Sequence, residues 1–348
     1  MLKIPREAGT PEAVLARAIL SDHLESLGYQ VRAQRFSFHP RTLDAFPLFG
    51  IGLGGLALAV LPLLAAPLPA WAALAVWLAG VTALGLLAAG VGLGWTSLGA
   101  EMREDANLVA RRGAGPVRRW IVAHADTKAQ GHSMAGRIVA VWVVLVALVS
   151  LTAAAVARLA GPLPEAAAAG VALLAVVAGA LAARGRLRGR SPGARDNGSG
   201  LLAALTAARA AGPGVGILIT GAEEFGLIGA RIFAGIARDE LAGTEVVNVD
   251  TVDDSGGLYV ISHDARGAAL ARSELARLEA LGLRGRSRAL PLGIFVDSHP
   301  LARAGAAAIT IGRLDWNTLR RLHTPHDTPD GLTLELAERI GDVIARVN

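Results

Sequence analysis

The sequence predicts an α/β domain built on a mostly parallel mixed sheet flanked by helices, interrupted by two transmembrane helical hairpins. Three observations predict it. Short apolar runs alternate with helical segments through the polar parts of the chain, the pattern of strands joined by crossover helices. From Ala45 to Ala100 there is no charged residue, and uncharged runs recur at 138–157 and 166–183. His, Asp and Glu residues fall just after apolar strand-like runs, at the edge where an open α/β sheet collects its ligands.

The elements follow in order. Residues 1–44 open the polar domain. Thr10-Pro11-Glu12 starts a helix with Pro at its first position, and the helix stops near Gly28. Residues 30–38 alternate Val31, Ala33, Phe36 and Phe38 in the manner of a half-buried strand. Residues 45–100 form the first hairpin, with spans of about 46–66 and 71–95 separated by Pro67 and Pro69. Each is long enough to cross roughly 30 Å of hydrocarbon as a helix. Residues 101–136 return to the polar domain and carry strands near 107–110 and 120–123. Residues 137–184 form the second hairpin, turning at Gly161-Pro162-Leu163-Pro164. Residues 185–348 complete the domain. They carry a helix at 200–211, strands at 216–220, 245–249, 258–261 and 306–311, and helices at 268–281 and 333–347. The three polar segments together hold roughly 250 residues, a size suited to one α/β domain.

Composition supports a membrane protein. The chain has 348 residues, 53% of them hydrophobic, and a mean hydropathy of +0.46, too apolar for an ordinary soluble domain. Both hairpins leave and return on one side. Arg41, Arg103, Arg137, Arg184, Arg186, Arg188 and Arg190 flank that side, whereas the tips carry only Arg158. The arginine bias therefore places the polar domain and both termini in the cytoplasm. Residues 1–37 are polar and do not read as a cleavable signal peptide. With no cysteine, disulfides and thiolate metal ligands are excluded. The net charge of +5 is mostly arginine beside the spans, suited to anionic headgroups. No basic face is interleaved with aromatics, so nucleic acid is not an expected partner.

The chemistry lies in five short strings. His124 and Asp126 follow one apolar run, and Glu223 and Glu224 follow another. Asp250 ends a third, Asp196 sits in a Gly-rich turn, and His323 lies in a polar loop with His326 as an alternative ligand. These imidazoles and carboxylates suit two hard or borderline cations, with one carboxylate to spare. Such a site hydrolyses amides when a non-ligand carboxylate moves the proton from water to the leaving amine. Two adjacent glutamates after a buried strand are costly unless a cation offsets them, and Asp126 is placed to fix the tautomer of His124. Asp253 and Asp254 read as solvent-facing.

The strings HAD at 124–126, DNGSG at 196–200, EEFGLIGA at 223–230, NVD at 248–250 and HTPHDTPD at 323–330 resemble the zinc-dependent exopeptidases of metallopeptidase family 28. The likeness covers the polar segments and none of the spans. It implies the zinc-exopeptidase fold, two Zn2+ ions and removal of an N-terminal residue from a peptide or small amide substrate. Asp196 would bridge the ions, Glu224 and His323 would complete one site, and His124 and Asp250 the other. Glu223 would be the general base and Asp126 would orient His124. Three departures stand out. The stretch from His124 to Asp196 is far longer than in the family, which the second hairpin accounts for. Arg195 replaces a small or acidic residue. Neither Tyr29 nor Tyr259 is placed to stabilise an oxyanion. Two alternatives are a glutaminyl-cyclase-like acyltransferase or non-peptide amidohydrolase of the same fold, and a non-catalytic metal-sensing membrane protein. Retention of His124 argues against the cyclase, and the presence of Glu223 against the sensor.

Overall fold

A computed structural model describes residues 3–93, 96, 99–291 and 293–346. In chain order, helix α1 (Pro11–Ser26) and strand β1 (Gln30–Phe38) precede the long helices α2 (Ala45–Ala65) and α3 (Ala70–Gly92). Strands β2 (Arg103–Arg111) and β3 (Arg119–His124) precede a second long pair, α4 (Met134–Ala157) and α5 (Glu165–Ala183). Then come α6 (Gly200–Ala210), β4 (Val215–Thr220), α7 (Ile228–Ile236), α8 (Arg238–Leu241), β5 (Glu245–Val252) and β6 (Gly257–Ser262). The chain closes with α9 (Ala265–Ala280), β7 (Gly285–Ala289), α10 (Ser298–Arg303), β8 (Ala307–Leu314), α11 (Trp316–Arg321) and α12 (Glu335–Ile344). The expected ends of the second span at Trp95 and of the last helix at Val347 lie outside the described residues.

Two compact units result. Residues 1–38, 102–129 and 189–348 form one, and residues 39–101 and 130–188 form the other. The first unit is an α/β layer structure around one eight-stranded sheet, in the order β1-β2-β4-β3-β5-β8-β6-β7. Its centre, β4-β3-β5-β8, is parallel, while β1, β2 and β6 pair antiparallel with their inner neighbours. β3 and β4 are buried along their whole length, which is why they read as unbroken apolar runs rather than as alternation. One face of the sheet packs Leu24 of α1, Leu201 of α6, Leu278 of α9 and Ile340 of α12 against Ile121, Ile217 and Val247. The other packs Phe233 of α7, Leu241 of α8 and Leu301 of α10 against Trp120, Leu218 and Val246. The sheet is thereby covered on both faces.

The second unit is four helices, each long and apolar enough to cross a membrane. α2 packs on α3 and α5, and α4 on α5, around Leu53, Val60, Trp77, Leu151 and Ala175. Small residues set the α2–α5 approach: a Cβ on Gly179 would collide with the carbonyl oxygen of Gly50, so the backbones meet more closely than larger residues allow. Arg158 turns inward and donates to the carbonyls of Leu63, Ala66 and Leu68 at 3.1, 2.9 and 2.7 Å. It thus serves carbonyls at the C-terminal end of α2 and in the turn that follows it. Large apolar side chains face outward on all four helices, among them Leu58, Leu86, Val149 and Leu173.

Candidate metal centre

Strand ends deliver the ligands. β3 ends on His124, β4 ends at Thr220 just before Glu223 and Glu224, and Asp250 lies near the end of β5. β3 pairs in parallel with both β4 and β5, so these three carboxyl ends share one edge. Asp196 comes from the tight segment 194–199 that enters α6, and His323 from the loop after α11. Local backbone choices aim the groups. The β5–β8 register shifts between Val249 and Val252, an irregularity of the sort that re-aims a strand residue. Ala222, Thr251 and His323 all adopt positive φ, at 52, 57 and 62°. Such strain costs about 1–3 kcal/mol per residue and concentrates where side chains must be placed for function. Gly200 has no such freedom to replace: a Cβ there would collide with Asn197 Oδ1 and the carbonyl oxygen of Val249.

Five predicted ligand residues and the predicted base meet in one cluster. Asp196 Oδ1 lies 3.1 Å from His124 Nε2, and Asp196 Oδ2 lies 3.1 Å from His323 Nε2. His124 Nε2 also approaches Asp250 Oδ1 at 3.6 Å, and His323 Nε2 approaches Glu224 Oε2 at 3.3 Å. Asp196 therefore turns one oxygen to each of two imidazole–carboxylate sets. Two groups result, His124 with Glu223 and Asp250, and Asp196 with Glu224 and His323, in each of which the ligand atoms lie within 4.8 Å of one another. His124, Asp196, Glu223, Glu224 and His323 are buried, and Asp250 is nearly so. His124 Nε2 and Glu224 Oε1 make no hydrogen bond. Buried donors and acceptors are normally satisfied, so these lone pairs together with three buried acids and the nearly buried Asp250 suit cations.

Electrostatics agree. Burial works against protonation of His124, but Glu223, Asp196 and Asp250 outweigh it and raise its pKa well above the ordinary value. Burial also opposes ionisation of Asp196, yet the two imidazoles hold its carboxyl far below the usual range. Burial, reinforced by Glu224, Asp297 and Asp250, lifts Glu223 well above a normal glutamate against the pull of His124. Histidines and acids that hold protons in this way would exchange them for a divalent cation, since ligation requires deprotonated groups.

Residues 182–348 match the model of Peptidase family M28. The match covers just under half of the chain. No curated protein matches it in sequence. Among solved structures, it is similar to an aminopeptidase from Aneurinibacillus sp. strain AM-1, at 16% identity and a TM-score of 0.57 over 99% of this chain and 90% of that one. A Zn-dependent exopeptidase from Parabacteroides distasonis is 14% identical with a TM-score of 0.58, covering 99% and 91%. A glutaminyl cyclase from Fimbriiglobus ruber is 17% identical with a TM-score of 0.58, covering 99% and 89%. The sheet and its flanking helices are thus the fold these enzymes share.

Residues that carry no motif of their own support the cluster. Arg6 is fully buried; its Nε donates to Ala125 O at 2.8 Å, Nη1 to Pro192 O at 2.7 Å, and Nη2 to Gly193 O at 3.0 Å. One guanidinium thereby ties the His124 loop to the Asp196 loop. The Asp327 carboxylate accepts the backbone N–H of Arg195 and of Asp196 at 2.9 and 3.0 Å. Lys128 pairs with Glu224 at 2.7 Å. Asp297, which accepts the Thr220 hydroxyl, is pushed up to about 6 by burial.

Asp126 acts differently from expectation. Its carboxylate stands 3.8 Å from His124 Nδ1, whereas its backbone carbonyl lies at 3.0 Å. The carboxylate instead accepts the N–H groups of Glu223 and Glu224 at 3.0 and 3.1 Å, and burial raises it to about 7. Asp253 is buried, not solvent-facing: it accepts from Thr318 Oγ1 at 2.8 Å and faces Arg195 Nε at 3.0 Å. This pairing gives the unusual Arg195 a partner away from the histidines. His326 is exposed. Tyr29 donates to Ala208 O in the core, and Tyr259 stacks under Arg288.

Proposed function

We propose that the chain is a membrane-anchored di-zinc aminopeptidase. The supporting observation is Asp196, with one oxygen directed to each of two imidazole–carboxylate sets. In this reading Asp196 is shared, Glu224 and His323 complete one zinc site, and His124 and Asp250 the other. Zinc held there would lower the pKa of water and polarise the substrate carbonyl. Glu223 is left as the general base: it takes a proton from the attacking water and returns it to the leaving amine. Asp126 holds the peptide of Glu223 and Glu224 by its carboxylate and the ring of His124 by its carbonyl. The four apolar helices anchor the enzyme in the bilayer, with the sheet on the cytoplasmic side by the arginine bias.

The test is zinc-dependent cleavage of aminoacyl amides by detergent-purified protein beside Glu223→Gln. We expect the variant to bind two zinc ions and lose about 100-fold or more in kcat, the usual scale for a lost general base. Cyclisation of glutaminyl peptides without cleavage would instead favour the acyltransferase. Two bound zinc ions with no turnover of any amide would favour the sensor.

A further inference from the structure

A concavity opens on the same edge of the sheet as the cluster. This cleft has a volume of about 450 Å³, and Arg195, Asp253, Asn317, Thr318, Arg320 and Arg321 are among its lining residues. Each wall continues a segment that carries a proposed zinc ligand. Arg195 is the residue before Asp196, and Asp253 follows directly on β5, which holds Asp250. Arg320 and Arg321 end α11, the helix that leads into His323. β5 and β8 run parallel, so Asp253 and α11 both follow carboxyl ends of the strands, the edge where such sheets bind ligands.

The charges within the cleft are not equivalent. Its two acids are engaged: Asp253 by Arg195 and Thr318, Asp254 by the N–H of Thr333 at 2.6 Å and its hydroxyl at 2.9 Å. Arg195 is buried and also donates to Thr328 O at 2.8 Å. Arg320 and Arg321 are exposed and have no side-chain partner among the described residues. Asp254 keeps its charge, so Arg195, Arg320 and Arg321 outnumber Asp253 and Asp254 by one and the cleft is net positive, its partnerless cations being two guanidiniums whose fork geometry matches a carboxylate.

We propose that this cleft is an anion subsite in which Arg320 and Arg321 bind a carboxylate of the substrate. The inference rests on the peptidase reading of the neighbouring cluster. The carboxylate is either the free C-terminus of a short peptide or an acidic side chain. Preference for such substrates follows, because a neutral peptide leaves the net positive charge of the cleft uncompensated.

Binding is measured by calorimetry in zinc-loaded Glu223→Gln protein, so that no turnover is needed. Three ligands are compared: alanyl-alanine amide, alanyl-alanine and glutamyl-alanine amide. One carboxylate-bearing ligand should bind about 10-fold or more tightly than the neutral amide, the scale of a charge-assisted pair. Tighter alanyl-alanine identifies the terminal carboxylate, and tighter glutamyl-alanine amide the side chain. Adding Arg320→Gln with Arg321→Gln should abolish the preference, so that the three ligands bind alike. If neither carboxylate ligand exceeds the neutral amide, or if the preference survives the double substitution, the proposal is overturned. If the preference exists while wild-type protein cleaves no peptide, the subsite stands and the peptidase reading fails.

Discussion

At the scale of single residues, the cluster depends on groups that never reach a reacting atom. Arg6 is the clearest. Its guanidinium saturates backbone carbonyls from residues more than a hundred positions away, on both loops that carry proposed ligands. Arg6→Met should leave those carbonyls unpaired and let the loops shift, reducing zinc affinity about 10–100-fold, as for other supporting partners of metal ligands. The control is Arg119→Met. Arg119 is as deeply buried, pairs with Glu245 and Glu274 at 2.7 and 2.8 Å, and ties down the carbonyls of Ile344 and Arg346. Losing it leaves Glu274 with Arg277 alone, turns the part-exposed Glu245 to solvent and frees two backbone carbonyls, and should cost about 1–3 kcal/mol of stability with zinc affinity unchanged. Competitive titration with a zinc chelator separates the two effects. An Arg6→Met protein that holds zinc as wild type does would show that the clamp is structural only.

At the scale of elements, the loop from Asp196 into α6 is the tightest join. Gly200→Ala sets a methyl group against Asn197 Oδ1 and the Val249 carbonyl. It should cost about 1–3 kcal/mol, the range for overpacking, whereas Gly212→Ala, with nothing near its Cβ, should change the unfolding temperature little. Equal melting of the two variants would contradict this reading of the join. The same scale explains what was legible in the sequence. Buried strands β3, β4 and β5 read as apolar runs, and the acids and histidine at their ends followed directly. β7 did not, because this exposed edge strand consists largely of arginine and small residues and offers no alternation. Nor did the short helices α7, α8, α10 and α11, none longer than nine residues. Asp253 reads as solvent-facing because its run with Asp254 and Ser255 has the composition of a solvated turn, and only the fold brings Arg195 beside it. Arg6 left no sequence signal, since its partners are backbone carbonyls, which any residue supplies.

At the scale of the whole molecule, the sheet constrains how the apolar helices can cross a bilayer. β1 lies before the first long pair of helices, β2 and β3 lie between the pairs, and β4 follows the second pair. Yet β1 pairs with β2 along its length, β2 pairs with β4, and β3 with β4. Backbone hydrogen bonds cannot be made across a membrane, so all three polar segments must share one side. If the four helices span, each pair must enter and leave on that side, and both hairpin tips must face the other. The absence of cysteine makes this directly measurable with single substitutions and a membrane-impermeant maleimide applied to intact cells. Leu68→Cys and Pro162→Cys, exposed at the two tips, should label, whereas Ala280→Cys, exposed at the end of α9, should label only after the cells are opened. The reverse pattern would keep the spanning helices but invert the orientation drawn from the arginines. Tips and sheet labelling together before lysis would mean that the helices do not cross the bilayer, and the anchor would have to lie in its surface instead.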